Sequence, residues 1–305
     1  MKKTLTLILA LSLNFVNGAI AQEQNEQEIV ANAAAKFFGL SSQEKWAEAK
    51  PFAQQAYELG QTIYSESDPL FGTIAYQLGT VQVALKEPSA LVPLTQAKIN
   101  YEQNQGADSA SLIPVLSELA SAHILSNNSE EAETHINRAL EIASKEYGSN
   151  STLIADLSGR TGKEFKTIGN YKLALELQKQ AYSIYLGVFG PSSAKTGEAA
   201  YEVSESSRLD GNITAQASFL RKTVDTFSTP LKATSEFERT VHTKFAQAYH
   251  ALGKPKRATK NVLALAYSNP SDEPQAPVLL VKSNANYQGR VDNENLDGFV
   301  SLKYD

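Results

Sequence analysis

The stretch GKEFKTIGNYKLA (residues 162–174) contains the spacing that decides the fold of this chain. It has a small residue (Gly162), an aromatic residue three positions later, a glycine four positions after that (Gly169), and an alanine five positions after the glycine. The stretch AQAYHALGKPKRA (246–258) has the same residue types at the same spacing. A glycine can end one helix, and small residues on both sides of it let two neighbouring helices approach closely. The spacing therefore predicts a pair of helices joined by a short turn.

The turn residues recur through the chain at a fixed interval. Glycine and asparagine tolerate the left-handed conformation that ends a helix, and they stand 42 residues apart at Asn127, Gly169, Gly211 and Gly253. Alanines recur with the same interval at Ala97, Ala139 and Ala181. Helix-breaking segments separate the units at 67–69, 106–108, 148–150, 190–192 and 228–230. A constant interval of this length is typical of proteins built from repeated helix pairs.

The quoted stretches resemble the tetratricopeptide repeat (TPR), in the 42-residue form of kinesin light chains and related bacterial proteins. The resemblance covers residues 24–270. It is weaker at 24–66, where Glu44 replaces the turn glycine, and at 193–233. It implies an all-α fold, a right-handed TPR superhelix of about six helix pairs.

The resemblance also implies a concave face, lined mainly by the first helix of each pair. By the family's pattern this face carries Asp156, Lys163, Lys166, Glu198, Tyr201, Glu205, Arg208, Thr243, Gln247 and His250. One interpretation is a groove for an extended peptide or a partner helix, because tyrosine and arginine are frequent anchors in protein interfaces. The alternative is that these residues are solvated helix faces.

The N-terminus has the pattern of a signal peptide over residues 1–21. Lys2 and Lys3 precede the short apolar run TLTLILALSL, and Ala19-Ile20-Ala21 is a small-x-small cleavage signal. We expect cleavage after Ala21, a periplasmic location, and no integral membrane span in the mature chain. The alternative is a leader that is retained as a membrane anchor.

The composition narrows the classes of partner. The chain has 305 residues, of which 42% are hydrophobic and 20% charged, and its net charge is −5. This balance does not favour nucleic acid or an anionic membrane surface as a partner. There is no cysteine, which excludes disulfides, thiolate zinc sites and cysteine nucleophiles.

Motifs for catalysis, metal binding or cofactor binding are absent from the sequence. It contains no GxSxG, Walker or GxGxxG motif, and its four histidines lack an HExxH-like spacing. Packing explains His123, and His135 is expected on a solvated face among glutamates. We therefore predict no catalytic residue, no metal site and no cofactor. An enzyme with carboxylates drawn from distant repeats is the alternative.

The C-terminal region has a different character from the repeats. After a Pro-rich linker (271–277), the stretches APVLLVKSNANYQGR and LDGFVSLKYD resemble the opening of the TonB carboxy-terminal domain. The residues that carry the resemblance are Tyr287, Arg290, Gly298 and Val300. It implies that 278–305 is a short β-like segment, part of a TonB-like domain, although the prolines that usually flank the tyrosine are absent. The final strand is expected either to belong to an incomplete domain or to take its partner from another protein.

These observations predict a periplasmic, non-enzymatic TPR scaffold or adaptor with a TonB-like tail. Its expected partner is an envelope protein or peptide, with an outer-membrane transporter as one candidate. Two alternatives remain: a fragment of a TonB-family energy transducer for outer-membrane uptake, and an envelope enzyme built on a helical solenoid.

Overall fold

The computed structural model describes residue 22 and residues 24–227, 247–254, 278–282, 288–290 and 299–303. The chain divides into two compact units, Met1–Tyr147 and Gly148–Asp305. The predicted signal peptide and the predicted linker lie outside the described residues.

The first unit consists, in its described part, of helices joined by short turns. They are α1 (24–41), α2 (Trp46–Ile63), α3 (Pro69–Ala84), α4 (Leu91–Gln105), α5 (Leu112–Leu125) and α6 (Ser129–Tyr147). A short 3-10 helix, Pro88–Ala90, directly precedes α4. Helix α3 packs on α2 and α4, and α5 packs on α4 and α6.

The second unit also consists, in its described part, of helices joined by short turns. Its described helices are α7 (Thr152–Thr167), α8 (Tyr171–Phe189), α9 (Ala194–Leu209), α10 (Ile213–Phe227) and α11 (247–251). Helix α8 packs on both α7 and α9, and α10 packs on α9. The predicted all-α class and the helix-pair repeat are confirmed.

The turns inside the helix pairs explain the fixed interval in the sequence. All four predicted turn residues have a left-handed backbone, with φ of 55°, 79°, 78° and 68° at Asn127, Gly169, Gly211 and Gly253. Glu44 has φ 57° and Lys86 has φ 61°, so these two are the left-handed turn residues of the first two pairs, α1–α2 and α3–α4. A residue with a Cβ is strained in this conformation, so glutamate and lysine are not expected at such turns. The repeat is therefore hard to recognise at the N-terminal end of the sequence.

Small residues let the paired helices approach closely, as the spacing predicts. Ala97, Ala139 and Ala181 are buried. A Cβ added at Gly79 of α3 would lie 2.3 Å from the Cγ atom of Leu94 on α4. The Leu94 side chain occupies this space, so residue 79 cannot carry a side chain unless Leu94 moves.

A buried asparagine fastens α4 to the turn before α3. Asn100 is 2% exposed, and its Nδ2 donates hydrogen bonds to the carbonyl oxygens of Glu66 at 2.7 Å and Asp68 at 2.8 Å. Asp68 also caps α3, because its side chain accepts a hydrogen bond from the Leu70 amide. These bonds satisfy polar groups beside the core of the first unit.

The predicted β-like tail contains a three-stranded antiparallel sheet. Its strands are β1 (Val278–Lys282), β2 (Gln288–Arg290) and β3 (Phe299–Lys303), in the order β2-β1-β3. Of the residues that carry the TonB resemblance, Arg290 pairs with Leu280 and Val300 pairs with Val281, and the other two lie outside the described residues. The final strand is thus paired within the chain, with β1, so the alternative in which it takes its partner from another protein was wrong.

Candidate functional site

A cleft of about 360 Å³ lies in the second unit between α7, α8 and α9. Helices α7 and α9 each contribute four residues at positions i, i+3, i+4 and i+7, a spacing that puts them on one face of a helix. The lining residues are Asp156, Gly159, Arg160 and Lys163 from α7, Lys195, Glu198, Ala199 and Glu202 from α9, and Gln178, Ala181 and Tyr185 from α8. The cleft therefore has two charged walls and a less polar contribution from the helix between them.

One charged cluster of the cleft is centred on Asp156. The hydroxyl of Tyr185 donates a hydrogen bond to Asp156, and the ammonium of Lys195 lies 3.7 Å from the same carboxylate. Lys195 also lies over the ring of Tyr185, 5.4 Å from its centroid. This ammonium is therefore held by a carboxylate and an aromatic face together.

Burial raises the pKa of the Tyr185 hydroxyl above its ordinary value. The hydrogen bond to Asp156 and the charges of Asp156 and Glu198 raise it further, because each of them opposes formation of a phenolate. Tyr185 thus stays protonated and remains a hydrogen-bond donor at neutral pH.

The second charged cluster is centred on Glu202. Lys166 Nζ lies 2.7 Å from one oxygen of this carboxylate, and Lys163 Nζ lies 3.3 Å from the other. The side chains of Lys166 and Glu202 are only 22% and 21% exposed, so solvent screens this pair less than a surface ion pair. It joins α7 to α9 along the wall of the cleft.

The contribution of α8 includes a small residue, Ala181, and a buried amide, Gln178. A Cβ at Gly159 would contact only the Ala181 Cβ, at 3.6 Å, so no bulky side chain fills the space beside these two residues. Gln178 is 1% exposed, and both polar atoms of its side chain lack a hydrogen-bond partner among the described residues. A buried amide without partners is costly.

The structure brings part of the predicted concave face together. Asp156, Lys163 and Glu198 line the cleft, and Lys166 is paired with a residue of its wall. The remaining predicted residues are not in its lining: on α9, Tyr201 is half-buried, Glu205 is buried and Arg208 is exposed; on α11, Gln247 is exposed and His250 half-buried; Thr243 lies outside the described residues.

Several lining residues were missed by the sequence interpretation. Arg160 follows Asp156 by four positions, and Lys195 and Glu202 flank Glu198 by three and four, so helical spacing from predicted residues was a usable signal for them. Tyr185 and Gln178 lie on the second helix of the pair, which the resemblance does not assign to the concave face. No signal in the sequence pointed to them.

A second group of polar residues lies in the first unit. His123 of α5 and His135 of α6 stack with ring centroids 5.2 Å apart, and Glu131 lies one turn before His135. Burial, together with the charges of His123, Lys98 and Arg138, lowers the pKa of His135 to about 4, and the charge of Glu131 opposes this shift. His135 is half-buried, so the expectation of a solvated face was wrong, because the end of α5 covers it.

Within the described part of the chain, no helix combines the length and the apolar character that a membrane crossing requires.

The comparisons with known proteins agree on the type of fold. Residues 111–187 match the family model of the tetratricopeptide repeat. The kinesin light chain TPR-like repeats of Podosopora anserina are similar in structure, with a TM-score of 0.55 and 16% sequence identity over 67% of this chain and 99% of that chain.

Two further solved structures share the fold. One is a signal transduction ATPase with numerous domains and a tetratricopeptide repeat sensor, from Pyrococcus horikoshii, with a TM-score of 0.57 and 14% identity over 81% of this chain and 36% of that chain. The other is BtubC from P. vanneervenii, with a TM-score of 0.50 and 12% identity over 85% of this chain and 99% of that chain. The helical part of the chain is therefore a tetratricopeptide-like helical repeat scaffold.

Proposed function

We propose that this scaffold is a non-enzymatic protein-binding module, which holds an extended segment of a partner protein in the cleft between α7, α8 and α9. The observation that carries the proposal is the pair of charged rows on α7 and α9, which line the cleft together with the small residues Gly159 and Ala181.

The charges of the cleft specify the kind of segment that fits. The α7 wall carries Asp156, Arg160 and Lys163, and the α9 wall carries Lys195, Glu198 and Glu202, three acids and three bases in all. Such a lining favours a segment with charges of both signs over a uniformly acidic or basic one, because unmatched charges in an interface are costly.

Peptide selection followed by affinity measurement tests this function. Peptides selected from a random library on the immobilised full chain are measured by fluorescence polarisation against two leucine variants. Gly159→Leu fills the cleft, whereas Gly187→Leu is the matched control, because Gly187 is an exposed residue of α8 with nothing within 4 Å of an added Cβ. We expect Gly159→Leu to weaken binding about tenfold or more and Gly187→Leu to leave it unchanged. Equal affinities for both variants contradict the proposal.

We further propose that the module acts in the periplasm, and that residues 278–305 act as a TonB-like tail that contacts an outer-membrane transporter and so supports outer-membrane transport. The leader pattern and the resemblance of the tail support this. In the described sheet β2 and β3 are the outer strands, and an outer strand can accept a strand from another protein.

Two measurements test these finer points. Mass spectrometry of the protein from a Gram-negative host determines the mature N-terminus, where Gln22 supports export with cleavage after Ala21 and retained Met1 contradicts that cleavage. Because the chain has no cysteine, a single Ser301→Cys substitution in β3 places a crosslinker at one site. Crosslinking to an outer-membrane protein that is lost when the cysteine is moved to exposed Gly187 supports the tail contact, and equal crosslinking from both sites contradicts it. An energy transducer additionally requires anchoring in the inner membrane, so cleavage before Gln22 also argues against that alternative.

A further inference from the structure

The two histidines and one glutamate of the first unit form a compact group of metal-binding side chains. Each of His123, Glu131 and His135 offers one ligand atom, and these atoms all lie within 4.8 Å of one another. Glu131 and His135 are four residues apart on α6, which puts them on the same face of the helix. His123 is in the last turn of α5, so the group spans the turn of one helix pair.

The turn between α5 and α6 holds this group in place. The carbonyl oxygen of His123 accepts hydrogen bonds from the amides of Ser126 at 3.1 Å and Asn128 at 2.9 Å. Asn127 between them has the left-handed conformation. The backbone of His123 is thus fixed relative to the first turn of α6, and a site built on fixed elements loses little entropy when it binds a ligand.

One imidazole nitrogen in the group has no protein partner. His123 Nδ1 is buried and lacks a hydrogen-bond partner among the described residues. A buried polar atom of this kind usually has a role that the protein alone does not reveal, such as contact with a water or an ion. Two imidazoles and a carboxylate are a donor set that suits zinc and similar divalent ions.

We propose that His123, Glu131 and His135 form a three-ligand site for a divalent transition metal of the zinc class. Ligand atoms around a tetrahedral zinc ion are roughly 3.3 Å apart, given zinc–ligand distances of about 2.0–2.2 Å. The ligand atoms of the group, all within 4.8 Å of one another, must approach to this spacing when the metal binds. Three protein ligands leave a fourth position for water or for a group from a partner.

Two positively charged side chains near the site oppose the binding of a metal cation. Lys98 of α4 and Arg138 of α6 both act electrostatically on His135. The Arg138 guanidinium is engaged by the Glu102 carboxylate at 2.5 Å and by the Ala107 carbonyl oxygen at 2.7 Å. Lys98 is therefore the residue whose removal is expected to strengthen metal binding, and a role of the three ligands in packing alone does not predict this effect.

Calorimetric titration of the chelator-treated full chain with Zn²⁺ tests the proposal. We expect one site, a loss of affinity of about tenfold or more in His135→Gln and Glu131→Gln, and tighter binding in Lys98→Gln. Glu133→Gln is the matched control, because Glu133 is an exposed acid on the same helix that is not part of the group.

Each result of the Zn²⁺ titration either supports the metal site or overturns it. Binding that falls in Glu131→Gln and persists in Glu133→Gln supports the site, and because Glu131 is exposed, this comparison survives even if a histidine variant fails to fold. Absence of saturable Zn²⁺ binding to the wild-type chain overturns the proposal, as does equal binding by Glu131→Gln and Glu133→Gln. Visible absorption of the Co²⁺-loaded chain provides a second readout: bands of a four-coordinate ion support the site, and the spectrum of hydrated Co²⁺ alone counts against it.

Discussion

Gly162 of α7 lies against Gln178 of α8 so closely that a Cβ at Gly162 would be 2.8 Å from the Gln178 Cγ atom. The same Cβ would lie 3.1 Å from the carbonyl oxygen of Ala174, an atom that cannot rotate away. The position is the small residue of the stretch that decides the fold, and its contact sets how closely the two helices of this pair pack.

Gly162→Ala is therefore expected to destabilise the protein by about 1–3 kcal/mol, because the added methyl forces the helices apart. Gly159→Ala, one turn earlier on α7, meets only ordinary van der Waals contact, and we expect it to stabilise the helix by up to about 1 kcal/mol. Urea denaturation followed by circular dichroism measures both. The same sign of change for the two alanines contradicts this account.

Replacement of Asn100 by alanine removes both hydrogen bonds between α4 and the turn before α3. We expect a loss of about 2–3 kcal/mol in the free energy of unfolding, since each bond is short and the side chain is buried. Asn104 provides the comparison, because it is exposed although its Nδ2 donates to the Ser67 carbonyl at 3.0 Å and to the carbonyl and Oδ1 of Asn100 at 2.9 and 3.2 Å. Asn104→Ala should cost less than about 1 kcal/mol in the same denaturation experiment, and an equal cost for the two asparagines speaks against a special role of Asn100.

Lys86→Gly is expected to stabilise the protein. Lys86 is exposed and has φ 61°, a conformation that costs a residue with a Cβ about 1–2 kcal/mol. Part of this gain is offset by the greater freedom of glycine in the unfolded chain, which leaves a net effect of about 0.5–1 kcal/mol. Asn127→Gly should change stability much less, because asparagine tolerates this conformation. Thermal unfolding measures both substitutions, and a lower melting temperature for Lys86→Gly refutes the prediction.

The raised pKa of Tyr185 gives the protein a specific response to alkaline pH. The folded-state pKa is above the unfolded value of 10.0, so the unfolded chain releases this proton first. The contribution of Tyr185 to stability is then fully present below pH 10.0 and is lost as pH rises through the folded pKa.

Spectrophotometric titration of the phenol, as the difference between wild type and Tyr185→Phe, measures this pKa. Asp156→Asn should lower it, since it removes the carboxylate that accepts the hydroxyl proton, although burial keeps it above the ordinary value. Glu198→Gln should lower it less, because Glu198 acts only through its charge. An unchanged titration in Asp156→Asn shows that the hydrogen bond does not form in solution.

The helix pairs were predictable where the turn chemistry is visible in the sequence. Gly169, Gly211 and Gly253 mark their turns because glycine adopts positive φ without strain. Glu44 and Lys86 form equivalent turns, but neither residue type indicates positive φ in a sequence. The strand at the C-terminus was predictable from its alternating pattern, whereas its pairing with β1 depends on a contact between distant residues.

The candidate sites were less predictable than the fold, because they depend on how neighbouring helices are rotated. Asp156 and Lys163 lie on one face of α7, and these two residues and Glu198 follow from the family pattern. Tyr185 reaches the same cleft from the other helix of its pair. His123 and His135 are twelve residues apart with no ligand motif between them, and they meet because one left-handed turn at Asn127 folds α6 back on α5.

The contrast between the two glycines of α7 has a consequence for the evolution of this protein. Gly162 is constrained by the backbone of α8, while three residues away Gly159 borders the space of the cleft. A mutation at 159 can therefore change the depth of the cleft while the contact that aligns the two helices at 162 remains. The depth of the cleft and the alignment of the two helices therefore depend on different residues, and a substitution at 159 needs no compensating substitution at 162.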